Sequence, residues 1–180
     1  MSKILLLIDF QKIFNDKSHS WYCPGFEQAL NTALSCYNKM NGNNCKTYIT
    51  GFLPPDTSVQ VWKDYYTKYS DIPSSDDNSC YELDDKLKNL ENVEKVIWSQ
   101  TFGKWDKISQ YINKEVKEVY ICGVATDCCV LSTALSAIDK NMKVYIIEDG
   151  CASNDTSHNN ALNIMKGYNP NIVIIDSKSL

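Results

Sequence analysis

Short apolar runs alternate along the chain with longer stretches in which apolar residues recur every three or four positions. The first run, Ile4–Ile8, is apolar throughout, which predicts a strand buried on both faces. Phe26–Met40 places Phe26, Ala29, Leu30, Ala33, Leu34 and Tyr37 at helical spacing, and Gly42 is a natural stop. Lys46–Ile49 predicts a second strand, which Gly51-Phe52-Leu53-Pro54-Pro55 should end. Residues 56–80 are polar and aromatic with weak periodicity, and Pro73-Ser74-Ser75-Asp76-Asp77 predicts a loop. Next come a short helix over Leu83–Leu90, a strand over Val93–Trp98, a helix over Trp105–Ile112 and a buried strand over Val116–Cys122. Asp127–Lys140 predicts a helix stopped by Asn141. Strand Val144–Ile147, helix His158–Met165 and strand Ile172–Ile175 complete the chain.

This order is strand and helix repeated about six times. It predicts an α/β fold of three layers, α-β-α, around a central parallel sheet of about six strands. The 180 residues fit one domain over 1–180. No internal repeat, low-complexity tract or like-charge block marks a linker. Ligands of such sheets bind beyond the carboxyl ends of the strands. Attention therefore falls on Asp9-Phe10-Gln11, Thr50-Gly51-Phe52, Ser99-Gln100-Thr101-Phe102, Gly123–Cys129 and Glu148-Asp149-Gly150.

Composition narrows the classes. Hydrophobic residues at 43% and charged residues at 22% are ordinary globular usage and argue against disorder. A net charge of -4 gives no support for a nucleic-acid partner, so the expected partner is a small molecule. Eight cysteines raise the question of a disulfide or zinc framework. Their positions, 23, 36, 45, 80, 122, 128, 129 and 151, contain no Cys-x-x-Cys pair, and His19 and His158 lie apart from them. Ile4–Ile8 is too short to span a membrane and is followed by Asp9 with no small-residue cleavage site. Cytoplasmic location, reduced thiols and no membrane association are the expectations.

Two residues stand out by position. Strand 116–122 runs through Gly123-Val124-Ala125 into the predicted helix, with Thr126 as a suitable N-cap and Asp127 suited to the positive end. Cys129 then falls in the first helical turn, where unpaired N–H groups stabilise a thiolate and can hold an oxyanion. The competing reading makes Cys128 and Cys129 simple packing residues. Asp9, directly after a buried strand, is costly unless paired or functional; its competing reading is a turn or capping aspartate.

These residues resemble the isochorismatase-like cysteine hydrolases, which include nicotinamidases. The resemblance rests on Leu6-Leu7-Ile8-Asp9-Phe10-Gln11, on Gly123-Val124-Ala125-Thr126-Asp127-Cys128-Cys129-Val130, and on Glu148–Ser153 followed by His158. It spans nearly the whole chain. It implies Cys129 as nucleophile, Asp9 as the base that takes the thiol proton, and a lysine completing a triad. It also implies a cis peptide between Val124 and Ala125 that aims the N–H groups of Ala125 and Cys129 at an oxyanion, and a homo-oligomer.

The sequence departs from the family twice. The family lysine position is occupied by Ser99, with Phe102 and Trp105 matching the aromatics that follow. Lys104 either brings its ammonium to the same place or is a solvated helix residue. Secondly, the nicotinamidase Asp-x-His pair after the second strand is absent from Ile49–Asp56, so no metal and no cofactor is expected, and nicotinamide is disfavoured as substrate. His158 reads as a packing or capping residue. Phe14, Ser99, Phe102 and Trp105 are candidate pocket residues, while Trp62, Tyr65, Tyr66 and Tyr69 suit a pocket mouth, a subunit contact or half-buried packing. The leading function is hydrolysis of a small amide or related acyl substrate through a cysteine thioester. The second is a catalytically weak member that binds a ligand or partner, motivated by Ser99. A redox pair of Cys128 and Cys129 is disfavoured, because successive helical residues point about 100° apart.

Overall fold

The computed structural model describes residues 2–42, 44–75 and 79–180; Asp76 and Asp77 of the expected loop lie outside them. Six strands form one all-parallel sheet: β1 (Ser2–Ile8), β2 (Cys45–Phe52), β3 (Val93–Ser99), β4 (Val116–Val124), β5 (Lys143–Ala152) and β6 (Ile172–Ile175). Their order across the sheet is β3-β2-β1-β4-β5-β6. The helices are α1 (Phe26–Met40), α2 (Gln60–Lys68), α3 (Asp85–Lys88), α4 (Trp105–Ile108), α5 (Leu131–Ile138) and α6 (Asp155–Lys166).

The all-apolar first run accounts for the layering. Ile4 to Ile8 are fully buried because β1 lies mid-sheet with cores on both sides. Leu5 and Leu7 enter one core with residues of α1, Tyr66 of α2 and Leu87 of α3. Ile4, Leu6 and Ile8 enter the other with residues of α4, α5 and α6. Strand order reverses between β1 and β4, so their carboxyl ends diverge into a crevice, the usual ligand position in this architecture. Asp9 follows β1 and Ala125 follows β4, which puts both at that crevice.

Gly123 lets the two strands close. It pairs with Ile8, and a Cβ at this position would lie 2.6 Å from both the Cβ and the carbonyl oxygen of Ile8. Gln11 fixes the other flank. Its buried amide donates to the carbonyls of Phe52 (2.8 Å) and Tyr81 (2.6 Å) and accepts from Phe52 N–H (2.7 Å).

Several expected boundaries move. β2 runs through Gly51 to Phe52, because Gly51 pairs with Trp98 and the Trp98 ring lies where a side chain would stand, 2.2 Å from an added Cβ. The stretch 56–80 contains α2, whose signal was Trp62, Tyr65, Tyr66 and Tyr69 at helical spacing. β5 extends to Ala152 through an irregularity, where Ile121 faces Ile146 but Gly123 faces Cys151. Glu148-Asp149-Gly150 therefore lies within the strand, and Asp149 accepts from Ser177 N–H (2.9 Å) and Oγ (2.5 Å) instead of facing the crevice. The helix expected from Asp127 opens as a π-turn over Thr126–Val130 before α5 begins. The expected helices at 83–90 and 105–112 shorten to α3 and α4, while α6 starts at Asp155, capped by Asn154. Among the described residues no helix is long and apolar enough to cross a membrane.

Candidate active site

Asp9 is held by its strand end. Its backbone adopts a left-handed conformation (φ 52°), its N–H donates to Thr50 carbonyl (3.1 Å), and its side chain is 0% exposed. Oδ1 accepts from Thr50 Oγ1 at 2.7 Å. Oδ2 lies 3.0 Å from Lys104 Nζ and has no hydrogen-bond partner, so the lysine charge is its compensation. A carboxylate removed from water without an opposite charge would be very unfavourable.

Lys104 is buried (0% exposed), not solvated. It sits at the N-cap of α4, its N–H donates to Thr133 Oγ1 (3.0 Å), and its Nζ donates to Thr101 carbonyl (2.7 Å). The ammonium also lies 4.9 Å from the Phe52 ring centre. Of the two placements open to Lys104, the structure takes the one that delivers its charge to Asp9. Ser99 stays in the wall of β3, its Oγ hydrogen-bonded to Thr101 Oγ1 at 2.7 Å.

Cys129 is 3% exposed, within the π-turn that follows β4. The Val124–Ala125 peptide is cis, where the family resemblance put such a bond. Ala125 carbonyl accepts from the N–H groups of Cys128 (3.0 Å) and Val130 (3.2 Å), two bonds that pass over Cys129 N–H. Thr126 does not cap the helix; its Oγ1 hydrogen-bonds His158 Nδ1 at 2.8 Å, so His158 fastens α6 to the turn. Asp127 accepts from Ser153 Oγ at 2.5 Å.

The stabilisation that a helix start offers a thiolate is opposed at Cys129. A hydrogen bond with Cys128, burial and the charge of Asp9 together push the Cys129 thiol well above its ordinary range, with Lys104 opposing them.

Beyond Cys129 opens a cleft of about 400 Å³. Phe14, Trp21, Tyr22, Phe52, Tyr65, Tyr69 and Phe102 line it, with Ser20, Cys23, Ala125, Asp127, Cys128, Cys129, Ser153 and Asn154. The walls brace one another. Trp21 stacks on Phe14 (5.8 Å), Phe52 stacks on Phe102 (5.6 Å), and Trp62 meets Phe102 edge-on from behind (5.6 Å). Phe14 and Phe102 are thus pocket residues. Ser99 and Trp105 are not among the lining residues; Trp105 is 1% exposed in the core on the opposite face of the sheet. Trp21 belongs to no motif that would single it out. Among the described residues no group of three or more His, Cys, Asp or Glu side chains could hold a metal. Asp56, nearest the nicotinamidase metal motif in position, is exposed and accepts from Ser58 N–H (2.8 Å) and Oγ (2.7 Å). These residues do not fit a nicotinamidase-type metal.

A family model, the isochorismatase domain, matches residues 3–179. The chain belongs to the isochorismatase family. Isochorismatase domain-containing protein 2 of Bos taurus is 38% identical over 39 residues, which cover 22% of this chain and 19% of that protein. The same-named Rattus norvegicus protein is 33% identical over 55 residues, covering 29% and 26% respectively. The chain thus spans about a fifth to a quarter of the length of these curated relatives. Among solved structures, a cysteine hydrolase from Pseudomonas syringae pv. phaseolicola superposes with a TM-score of 0.82 at 14% identity, covering 98% of this chain and 89% of the other. A nicotinamidase/pyrazinamidase from Bacillus subtilis gives 0.78 at 21% identity, covering 98% and 100%. At these identities the likeness extends to the isochorismatase-like α/β fold.

Proposed function

We propose that this isochorismatase-family chain is a cysteine hydrolase that cleaves a small amide or related acyl substrate. The observation that carries the proposal is the fully buried Asp9–Lys104 pair, whose charges both act on the Cys129 thiol. A buried carboxylate with one oxygen anchored by Thr50 and the other free of hydrogen bonds is suited to accept a proton. Because the resting group is a thiol, Cys129 is activated at the moment of attack rather than beforehand.

Asp9 takes the Sγ proton as sulfur attacks the acyl carbon. The N–H groups of Ala125 and Cys129, the donors the family resemblance implies, would hold the developing oxyanion. The proton passes from Asp9 to the leaving amine, and a thioester remains. Water, deprotonated by Asp9, hydrolyses it and restores the thiol. Lys104 orients Asp9 through its 3.0 Å contact with Oδ2. The aromatic cleft would receive the rest of the substrate, a volume suited to a small molecule.

The test is release of ammonia or amine from a panel of small amides, with folding followed by circular dichroism. Cys129→Ala and Asp9→Asn should each abolish turnover while the fold survives; full turnover by Cys129→Ala overturns the mechanism. A second reading, a ligand-binding member with little catalysis, loses its motive at Ser99 because Lys104 supplies the charge. It keeps one in the raised Cys129 thiol. Iodoacetamide labelling of Cys129 across pH, with and without a bound amide, separates the two.

A further inference from the structure

The cleft has a chemical sign that the hydrolytic machinery does not require. Seven aromatic residues, among them Trp21, Tyr22, Phe52 and Phe102, line the cleft together with Cys129. The charged side chain among the lining residues is Asp127, which is exposed. Asp127 accepts a hydrogen bond from Ser153 but has no ion-pair partner among the described residues. No lysine, arginine or histidine lines the cleft. Lys104 pairs with Asp9, while Lys17 and Lys68, not themselves lining residues, lie over two of the lining rings, Tyr22 at 5.9 Å and Tyr69 at 5.2 Å.

Aromatic faces carry negative potential and attract cations, most strongly where water is partly excluded. The exposed Asp127 carboxylate adds to the same potential. An anionic substrate would meet this potential with no guanidinium or ammonium among the lining residues, and like-charge juxtaposition is costly.

We propose that the cleft selects a substrate bearing a positive charge, an ammonium or guanidinium group seated between the aromatic walls and Asp127. That the substrate is an amide rests on the hydrolase reading; the charge preference rests on the cleft alone. Asp127 and Trp21 are then specificity-determining residues. Trp21 is central because it contacts Phe14, Phe52, Tyr65 and Tyr66 at once.

Three benzamides of matched shape test this: 3-(trimethylammonio)benzamide, benzamide and 3-carboxybenzamide. Binding is measured by calorimetry on the full chain carrying Cys129→Ala, and kcat/KM by ammonia release from the unmodified protein. The cationic amide should bind about tenfold or more tighter than the carboxylate, the combined effect of one carboxylate and several ring faces. Asp127→Asn, which keeps the acceptor for Ser153, should shrink that ratio several-fold. Trp21→Leu should shrink the preference for the cation over neutral benzamide. Equal or tighter binding of the carboxylate overturns the proposal, as does no measurable binding of the cationic amide at millimolar concentration. An unchanged ratio in Asp127→Asn removes Asp127 from it. Cation-selective binding without turnover would sink the hydrolase reading and leave the cation site standing. Turnover of all three amides without discrimination would do the reverse.

Discussion

Replacing Lys104 with methionine probes the buried pair with little change of shape. The substitution removes the ammonium and keeps most of the stem. Asp9 Oδ2 then loses its one compensating contact while remaining 0% exposed, with Oδ1 still held by Thr50. Breaking a buried pair by removing one partner costs about 3–5 kcal/mol, because the other charge stays in the interior. The lost contacts to Thr101 carbonyl and the Phe52 ring act in the same direction. For a domain of this size that corresponds to a fall in Tm of roughly 6–20 °C. Urea and thermal unfolding followed by circular dichroism measure it directly. The double variant Asp9→Asn with Lys104→Met removes both charges, so it should be more stable than the sum of the single effects predicts, by about 1–3 kcal/mol. A loss below about 1 kcal/mol for Lys104→Met, the value of an exposed pair, together with additive behaviour in the cycle, would refute the buried pair. If the single variant fails to fold, the double variant still reads the coupling, since it is expected to fold.

Gly123→Ala should destabilise by about 1–3 kcal/mol, because the new methyl must push Ile8 away from β4; a neutral result in urea unfolding would mean that the strands part easily. Gln11→Ala strands the carbonyls of Phe52 and Tyr81 and the N–H of Phe52, and should cost about 2–4 kcal/mol by the same measurement. Stability should also fall in alkali. Burial pushes the thiols of Cys45 to about 11 and of Cys23 and Cys151 to about 12, against an ordinary value of 9.0. Below pH 9 these thiols are protonated in both states and the contribution is intact; from there to about pH 12 the unfolded chain alone loses protons, so the urea midpoint should drop. A flat midpoint between pH 8 and pH 10.5 would show that these thiols ionise as easily in the native protein.

The layered parallel sheet was legible because its periodicities are unambiguous: Ile4–Ile8 can hardly be other than a central strand, and Phe26–Met40 has one apolar face. Boundaries were harder where tertiary contact overrides local signals. Gly51 looks like a terminator but is a strand residue under the Trp98 ring. Glu148-Asp149-Gly150 looks like a loop beyond a strand but lies in an irregular strand whose aspartate anchors Ser177. The setting of Cys129 was hard to read for a similar reason. Helix starts lower a cysteine pKa when the thiol faces them from a wet site, whereas Cys129 is buried against Cys128 and Asp9. Trp21 could not be found at all, since its place in the cleft depends on how residues 15–25 fold back on Phe14 and Phe52.

The lysine shows why a motif and a site are different objects. A sequence pattern records where a backbone carries a side chain; the site requires only that an ammonium reach Asp9 Oδ2. Lysine has a flexible four-carbon stem, so more than one backbone position meets that requirement. Here the turn from Ser99 to Lys104 is organised around the change. Ser99 Oγ engages Thr101 Oγ1, Thr101 Oγ1 donates to Gly103 carbonyl at 2.6 Å, and Thr101 carbonyl accepts from the ammonium itself. Thr133 of α5 holds the Lys104 backbone from the other side. The small side chain at 99 leaves room for this hydroxyl network, and the network orients the charge delivered from 104. Read as a pattern, Ser99 is a missing lysine. As electrostatics, the charge is present, fully buried and paired, and the low dielectric that makes such a pair costly to break also makes its orientation of Asp9 strong.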